Sequence, residues 1–167
     1  MLLRTESQIM SQISNYTFDE ISIGQTASYS RVISEKEIIL FAAATGDINP
    51  VHLDAEFAAE SMFKERIAHG MLTGGVISAA LALVLPGPGC IYLGQSLRFQ
   101  RPVKIDDELT AQLEVTAKRE DKEILTIECE VLNQHGKVVA SGTATVKAPS
   151  EKIVIDEPSE PRVTIEA

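Results

Sequence analysis

The sequence predicts an α+β domain in which a curved antiparallel sheet wraps around one central apolar helix. The segment from Gly70 to Leu85 is apolar on every side, which is typical of a helix that is enclosed all round. After Pro88 the chain alternates polar and apolar residues in several runs, the pattern of an antiparallel sheet with one solvated face. Because such a helix would otherwise leave one face exposed, we also expect a homodimer or a higher homo-oligomer.

Local signals mark the ends of several elements. Ser34 and Glu37 form a capping box at a helix start, and Gly46 is a natural stop for that helix. Asp54 is the expected N-cap of a second, short helix. An earlier strand near residues 25–33 is expected to join the sheet. The clearest alternation predicts a strand whose core-facing residues are Leu109, Ala111, Leu113, Val115 and Ala117.

The chain of 167 residues is expected to form one domain over residues 17–148. Residues 1–16 are mixed and polar and predict a flexible arm, and residues 149–167 read as an acidic, proline-containing tail or linker. Within that tail, residues 153–155 are apolar enough to pair as an edge strand. Cys90 and Cys129 are too few for a disulfide framework and are interpreted as reduced core residues.

Composition excludes several functions. A net charge of −9 with 5% aromatic residues and no Trp disfavours binding to nucleic acid or to anionic membranes. No uncharged apolar stretch reaches the roughly 20 residues that span a bilayer, and the start of the chain lacks the apolar run of a signal peptide. We therefore predict a cytoplasmic protein with no nucleic-acid or membrane partner.

A stiffened loop holds the first candidate site. Asp47 and His52 lie five residues apart, and Gly46 and Pro50 restrict the backbone beside them. A carboxylate and an imidazole that converge on one point can share a water, one taking its proton while the other gives one. The spacing alone leaves open that Asp47 and Asn49 cap the loop and that His52 is an ordinary polar residue.

The start of the apolar helix is a second candidate. Gly70 would let a substrate carbonyl approach the free N–H groups of the helix N-terminus, although a glycine that serves packing alone is the open alternative. His52, His69 and Asp54 lack the tight spacing of metal ligands. No metal site is therefore predicted.

The motifs around these residues are similar to those of one family. FAAATGDINPVHLD at residues 41–54, AHGML at 68–72 and IYLGQSLRF at 91–99 resemble the MaoC-like (R)-specific enoyl-CoA hydratases, and the resemblance runs over about residues 18–148. It implies a hot-dog fold and a dimer that converts trans-2-enoyl-CoA to (3R)-3-hydroxyacyl-CoA. It also implies that no cofactor is needed, since coenzyme A enters as part of the substrate.

The resemblance implies roles for individual residues. Asp47 and His52 would be the acid/base pair, Asn49 would support the loop, and Gly70 would bind the thioester carbonyl. Ser78 and Leu81 are expected to line the acyl pocket. Ser78 matches a pocket residue of the shorter-chain relatives. The other, Leu81, is expected to limit the acyl chain to about four to six carbons. Asp106 and Asp107 stand where relatives usually have Gly-Asp, which predicts a changed turn.

Two other functions remain open on the sequence. Hot-dog proteins also include acyl-CoA thioesterases, and a non-catalytic module could bind acyl-CoA or dock a partner. The C-terminal tail resembles the start of a linker to a phosphate acyltransferase-like domain. A fused or separate acyltransferase domain is therefore a further expected partner.

Overall fold

One antiparallel sheet wraps around one helix in the computed structural model, which describes residues 11–165. In chain order the elements are β1 (Gln12–Ser14), β2 (Thr26–Ile33), α1 (Glu35–Thr45), α2 (Pro50–Leu53), α3 (Ala55–Glu60), α4 (Gly70–Leu83), β3 (Ile91–Phe99), β4 (Asp107–Arg119), β5 (Ile124–Leu132), β6 (Val138–Lys147) and β7 (Val154–Asp156). Five strands form the sheet in the order β2-β4-β5-β6-β3, and α4 packs against β2, β3, β4 and β5. The predicted hot-dog fold is confirmed.

Both ends of α1 form where the sequence predicts them. The backbone N–H of Ser34 donates to Glu37 Oε2 at 2.9 Å, and Ser34 Oγ accepts from the N–H of Lys36 at 3.3 Å. At the other end Gly46 adopts a left-handed φ of 76° and donates its N–H to Ala42 O. These contacts satisfy backbone groups that a helix end leaves unpaired.

The central helix α4 is enclosed on one face within a single chain. The core face consists of Thr73, Val76, Ile77, Ala80 and Leu81. Met71 and Leu83 are 60% and 41% exposed, so the expected enclosure on every side is incomplete in one chain. None of the helices in residues 11–165 is long and apolar enough to cross a membrane.

A β-bulge overturns the strict alternation expected along β4. Val115 pairs with Ile127 but Ala117 pairs with Thr126, so Thr116 is an extra residue on this strand. Because side chains alternate with a period of two, the residues after the bulge point to the opposite faces from those that the sequence pattern predicts. Ala117, expected in the core, is exposed.

Lys118 follows the bulge and binds the N-terminal part of the domain. Its Nζ donates to Phe18 O at 2.8 Å and to Ile21 O at 2.7 Å, and it lies 4.2 Å from the centre of the Phe18 ring. Both carbonyls belong to a segment that precedes β2 and packs in the core. One charged side chain thus fixes this segment to the sheet.

We expect Lys118→Met to lower the free energy of unfolding by about 2 kcal/mol, the scale of hydrogen bonds from a charged donor. Thermal unfolding followed by circular dichroism should show a Tm lower by about 4–8 °C for a domain of this size. Lys122→Met, in the exposed turn after β4, is the matched control and should leave Tm unchanged. Equal Tm values for the two variants would contradict the assigned contacts.

The expected arm and tail pair with each other. Gln12 pairs with Asp156 and Ser14 with Val154, so β1 and β7 form a separate antiparallel ribbon. Lys152 Nζ reinforces it by donating to Asn15 O at 2.6 Å. Residues 1–10 of the expected flexible arm lie outside the described residues. Residues 12–14 of the expected arm and 154–156 of the expected tail are thus paired strands, the second of them close to the edge strand expected at residues 153–155.

The expected changed turn lies at the start of β4. Asp106 has a left-handed φ of 67°, a conformation that favours glycine. The buried Asp107 carboxylate accepts from the N–H of Lys104 at 2.8 Å and from Gln134 Nε2 at 2.6 Å. These two bonds hold the turn in place without the glycine.

Candidate active site

The loop between α1 and α2 is held by a continuous series of hydrogen bonds. Thr45 Oγ1 donates to Phe41 O at 2.7 Å and accepts from the N–H of Asp47 at 3.2 Å. Asp47 Oδ1 accepts from the N–H of Asn49 at 3.4 Å, and Asn49 Oδ1 caps α2 by accepting from the N–H of Val51 at 3.3 Å. The loop therefore presents the Asp47 carboxylate from a fixed backbone.

His52 lies behind this carboxylate. The histidine is 9% exposed, whereas Asp47 is exposed at the surface of the loop. His52 Nδ1 lies 2.8 Å from Ile67 O. Because a carbonyl oxygen only accepts, Nδ1 bears the hydrogen, and Nε2 of the neutral ring has a free lone pair.

A second histidine completes the cluster. One carboxylate oxygen of Asp47, one ring nitrogen of His52 and one ring nitrogen of His69 lie within 4.8 Å of one another. The His69 ring packs against His52 at an interplanar angle of 33°, with ring centroids 3.9 Å apart, and its centroid lies 4.8 Å from that of Phe41. The structure thus brings together the predicted pair and adds His69, to which the sequence assigned no role.

The same cluster contains the donor types that bind zinc. Two imidazoles on one tetrahedral zinc have ring centroids roughly 5 Å apart, given Zn–N bonds of about 2.1 Å. The 3.9 Å separation of the His52 and His69 ring centroids is shorter than that. Asp54, the third residue considered above, instead caps α3 by accepting from the N–H groups of Glu56 and Phe57. The absence of a metal stays a prediction.

A mostly apolar cavity of about 590 Å³ opens beside Asp47. Its lining is formed by Phe41, Thr45, Asp47, Met71, Gly74, Gly75, Ser78, Tyr92, Gln95 and Leu97. Ser78 therefore lies on one cavity with the Asp47 carboxylate. Leu81, one turn further along α4, is 1% exposed in the core and is not part of this lining. Its role as a limit on chain length stays a prediction.

Gly70 lines a second cleft, of about 370 Å³, together with Phe99 and Arg101. A Cβ atom on Gly70 would lie 3.1 Å from the Phe99 ring, so any side chain there would crowd the cleft. The first N–H groups of α4 begin at this glycine and have no acceptor within the helix. Larger clefts of about 750 and 770 Å³ lie along the sheet and contain none of the candidate residues.

The cavity beside Asp47 also contains residues that the sequence did not single out. Tyr92 and Gln95 stand on β3 and are hydrogen-bonded to each other. Burial raises the pKa of Tyr92 to about 12, so its phenol keeps its proton at neutral pH. Met71 also lines this cavity. It immediately follows Gly70, and this position next to the AHG motif was the signal in the sequence that could have identified it as a site residue.

The two cysteines take no part in the site. Burial raises the pKa of the Cys90 thiol, and burial raises that of Cys129 to about 11. Neither residue lines the cavity beside Asp47. Thiols of this kind are poor nucleophiles at neutral pH.

Comparisons with known proteins agree on one family. The MaoC like domain matches residues 19–145. An (R)-specific enoyl-CoA hydratase of Rhodospirillum rubrum is 47% identical over 135 residues, covering 80% of this chain and 92% of the relative. Its counterpart in Aeromonas caviae is 46% identical over 129 residues, covering 77% of this chain and 96% of the relative. The unliganded R-hydratase PhaJ1 of Pseudomonas aeruginosa has a TM-score of 0.88 and 51% identity, covering 93% of this chain and all of that one.

Proposed function

The chain belongs to the MaoC-like domain family, and from this membership we propose that it adds water to trans-2-enoyl-CoA to give (3R)-3-hydroxyacyl-CoA. One observation supports the proposal above all others. The Asp47 carboxylate and a ring nitrogen of His52 lie within 4.8 Å of each other, and Asp47 borders an apolar cavity large enough for an acyl chain.

The pair can hold and activate one water molecule. The free Nε2 lone pair of His52 and the Asp47 carboxylate both accept hydrogen bonds from the water, and one of its protons passes to this pair. The hydroxyl adds to C3 and the pair returns one proton to C2. The hydroxyl and one proton of water are thus added across the double bond. Asp47 and His52 end in the protonation states in which they began.

The thioester is placed at the start of α4. The N–H groups of this helix N-terminus donate to the thioester oxygen, where negative charge develops as the hydroxyl adds. The acyl chain then runs along α4 into the cavity that contains Ser78 and Met71. Coenzyme A enters with the substrate, and we propose that no metal or other cofactor takes part.

Crotonyl-CoA is the substrate that tests the proposal. Loss of the enoyl-thioester absorbance, with a product that an (R)-specific 3-hydroxyacyl-CoA dehydrogenase oxidises, is the expected result. Release of free thiol would instead identify a thioesterase. Binding of crotonyl-CoA without turnover would identify a non-catalytic module, and either outcome overturns the proposal.

The absence of a metal has its own test. Because both proton-transfer groups are side chains of this chain, we expect dialysis against EDTA to leave kcat unchanged. A loss of turnover that zinc restores would contradict a cofactor-free reaction, and it would direct attention to the cluster of Asp47, His52 and His69.

We further propose that two chains associate through the uncovered face of α4. Met71 and Leu83 on this helix and Ile91 and Leu93 on the neighbouring edge strand β3 are exposed apolar residues. Burying them against a second copy would complete the enclosure of the helix. Light scattering should give at least twice the mass of one chain. The expected acyltransferase partner at the C-terminal tail remains a prediction.

The length of the acyl chain depends, in this proposal, on Leu81. We expect wild type to prefer substrates of about four to six carbons, and truncation to Ala to extend the cavity along α4. Each methylene newly buried is worth about 0.8 kcal/mol, or roughly fourfold in kcat/KM. The eight-carbon substrate should therefore gain relative to the four-carbon one.

Leu85→Ala is the matched control for this measurement. Leu85 is buried in the same core, but it follows the end of α4. Its truncation should lower stability without changing the eight-to-four-carbon ratio of kcat/KM. An unchanged ratio in Leu81→Ala would show that the acyl chain follows another route.

A further inference from the structure

His69 occupies the N-cap position of α4 but does not cap the helix. Its side chain makes no hydrogen bond to the first turn of α4. Ser, Thr, Asp or Asn at this position would stabilise the helix by about 1 kcal/mol through such a bond. A histidine, 2% exposed, therefore stands where a better helix cap is available.

The side chain instead reaches across to the loop that contains Asp47. His69 Nε2 lies 2.9 Å from the main-chain oxygen of Asp47, 22 residues earlier in the chain. Because that oxygen only accepts, Nε2 bears the hydrogen, and Nδ1 of the neutral ring has a free lone pair. Nδ1 is buried and has no hydrogen-bond partner among the described residues.

A buried acceptor without a partner lowers stability, and such atoms are rare in folded proteins. Stability alone therefore does not explain this histidine. The contacts of its ring point to the reaction site, because one edge is bonded to the backbone of Asp47 and the ring packs against His52 with centroids 3.9 Å apart.

We propose that His69 is a positioning residue that holds Asp47 and His52 in register. The hydrogen bond from Nε2 fixes the carbonyl of Asp47, and with it the turn from which the carboxylate extends. The adjacent ring limits rotation of the His52 imidazole, so that its free Nε2 keeps a fixed direction. This inference rests on the proposed hydratase function and assigns that site a third residue. Misplacement of reacting groups by about 1 Å can cost 10²-fold in rate.

Two substitutions separate the hydrogen bond from the ring. His69→Phe keeps an aromatic ring against His52 but removes the N–H donor. His69→Gln keeps an N–H donor at a similar reach from the backbone but removes the ring. We expect His69→Phe to lower kcat about 10–100-fold with KM within about threefold. His69→Gln should recover at least about tenfold of that loss.

Stability provides the control. His69→Phe also removes the unpaired acceptor, so its Tm should stay within about 4 °C of wild type. Lys118→Met, which loses contacts remote from the loop, should have a lower Tm with unchanged kcat. Equal kcat in wild type and His69→Phe would overturn the proposal. So would a rise in KM alone, or a His69→Gln variant no more active than His69→Phe.

Hydrogen exchange tests the inference without any substrate. The amides of Ile48 and Asn49 are bonded within the loop, to Gly46 O and to Asp47 Oδ1. They should exchange faster in His69→Phe and near the wild-type rate in His69→Gln. If wild type does not hydrate crotonyl-CoA but the exchange rates differ in this way, the proposed function fails and the positioning role stands. If wild type is active and neither exchange nor kcat responds, the positioning role fails alone.

Discussion

Asp47→Asn should lower kcat by about 10²–10⁴-fold, the range for loss of one acid/base group, and leave KM within about threefold. The amide has the shape of the carboxylate, and its oxygen can still accept from the N–H of Asn49. The loop is therefore retained while the ability to exchange a proton is lost. Steady-state kinetics with crotonyl-CoA measure the effect.

His52→Ala should reduce kcat over the same range, because the free Nε2 disappears. It also leaves Ile67 O without its 2.8 Å partner, so we expect stability to fall by about 1–3 kcal/mol. His135→Ala, in the exposed turn between β5 and β6, is the control histidine and should retain wild-type kcat. Full activity in both Asp47→Asn and His52→Ala would show that the pair is misassigned.

Gly142→Ala should be the most destabilising single substitution proposed for this fold. Gly142 lies on β6 opposite Leu97 of β3, and a Cβ atom there would lie 1.9 Å from Ser96 O. The obstacle is backbone, which cannot rotate away as a side chain can, so β3 must move away from the sheet. We expect the free energy of unfolding to fall by about 3 kcal/mol or more.

Thermal and urea unfolding would measure this loss, with Gly94→Ala as the matched control. Gly94 lies in the partner strand β3, and its added Cβ would meet nothing within 4 Å. The control should stay close to wild type in Tm. Because β3 provides Tyr92 and Leu97 to the cavity, Gly142→Ala should also raise KM. A Tm equal to that of the control would mean that the strands are not so closely packed.

Local features of the fold were predictable, because their causes lie within a few residues. Ser34 and Glu37 are three residues apart, and their side chains accept from free N–H groups at the start of the same helix. Gly46 ends that helix through its own left-handed φ. The alternation in β4 was equally clear as far as Val115. The bulge at Thr116 was not, because an unpaired residue is defined by the register of the partner strand.

Non-local contacts were the part that the sequence did not reveal. An edge strand was expected at residues 153–155, but its partner β1 was not, because β1 is only three residues long and is distant in the chain. The bond from His69 to Asp47 joins two motifs that the sequence did present, but nothing in either motif specifies their contact. By contrast, Asp47 and His52 lie five residues apart on one restricted segment, and the resemblance to the hydratase family assigned them as a pair.

The ribbon of β1 and β7 means that the backbone enters and leaves the domain at one point. The N–H of Glu157 donates to Ser11 O at 2.8 Å, so residues 11 and 157 are direct neighbours. A short peptide bridge here would close the backbone into a ring without moving a strand, and the ring could be reopened in the turn at residues 133–136. In such a circular permutant the Asp47 loop and α4 would remain on one uninterrupted stretch of chain. The order in which the elements are synthesised is therefore separable from the architecture that they form.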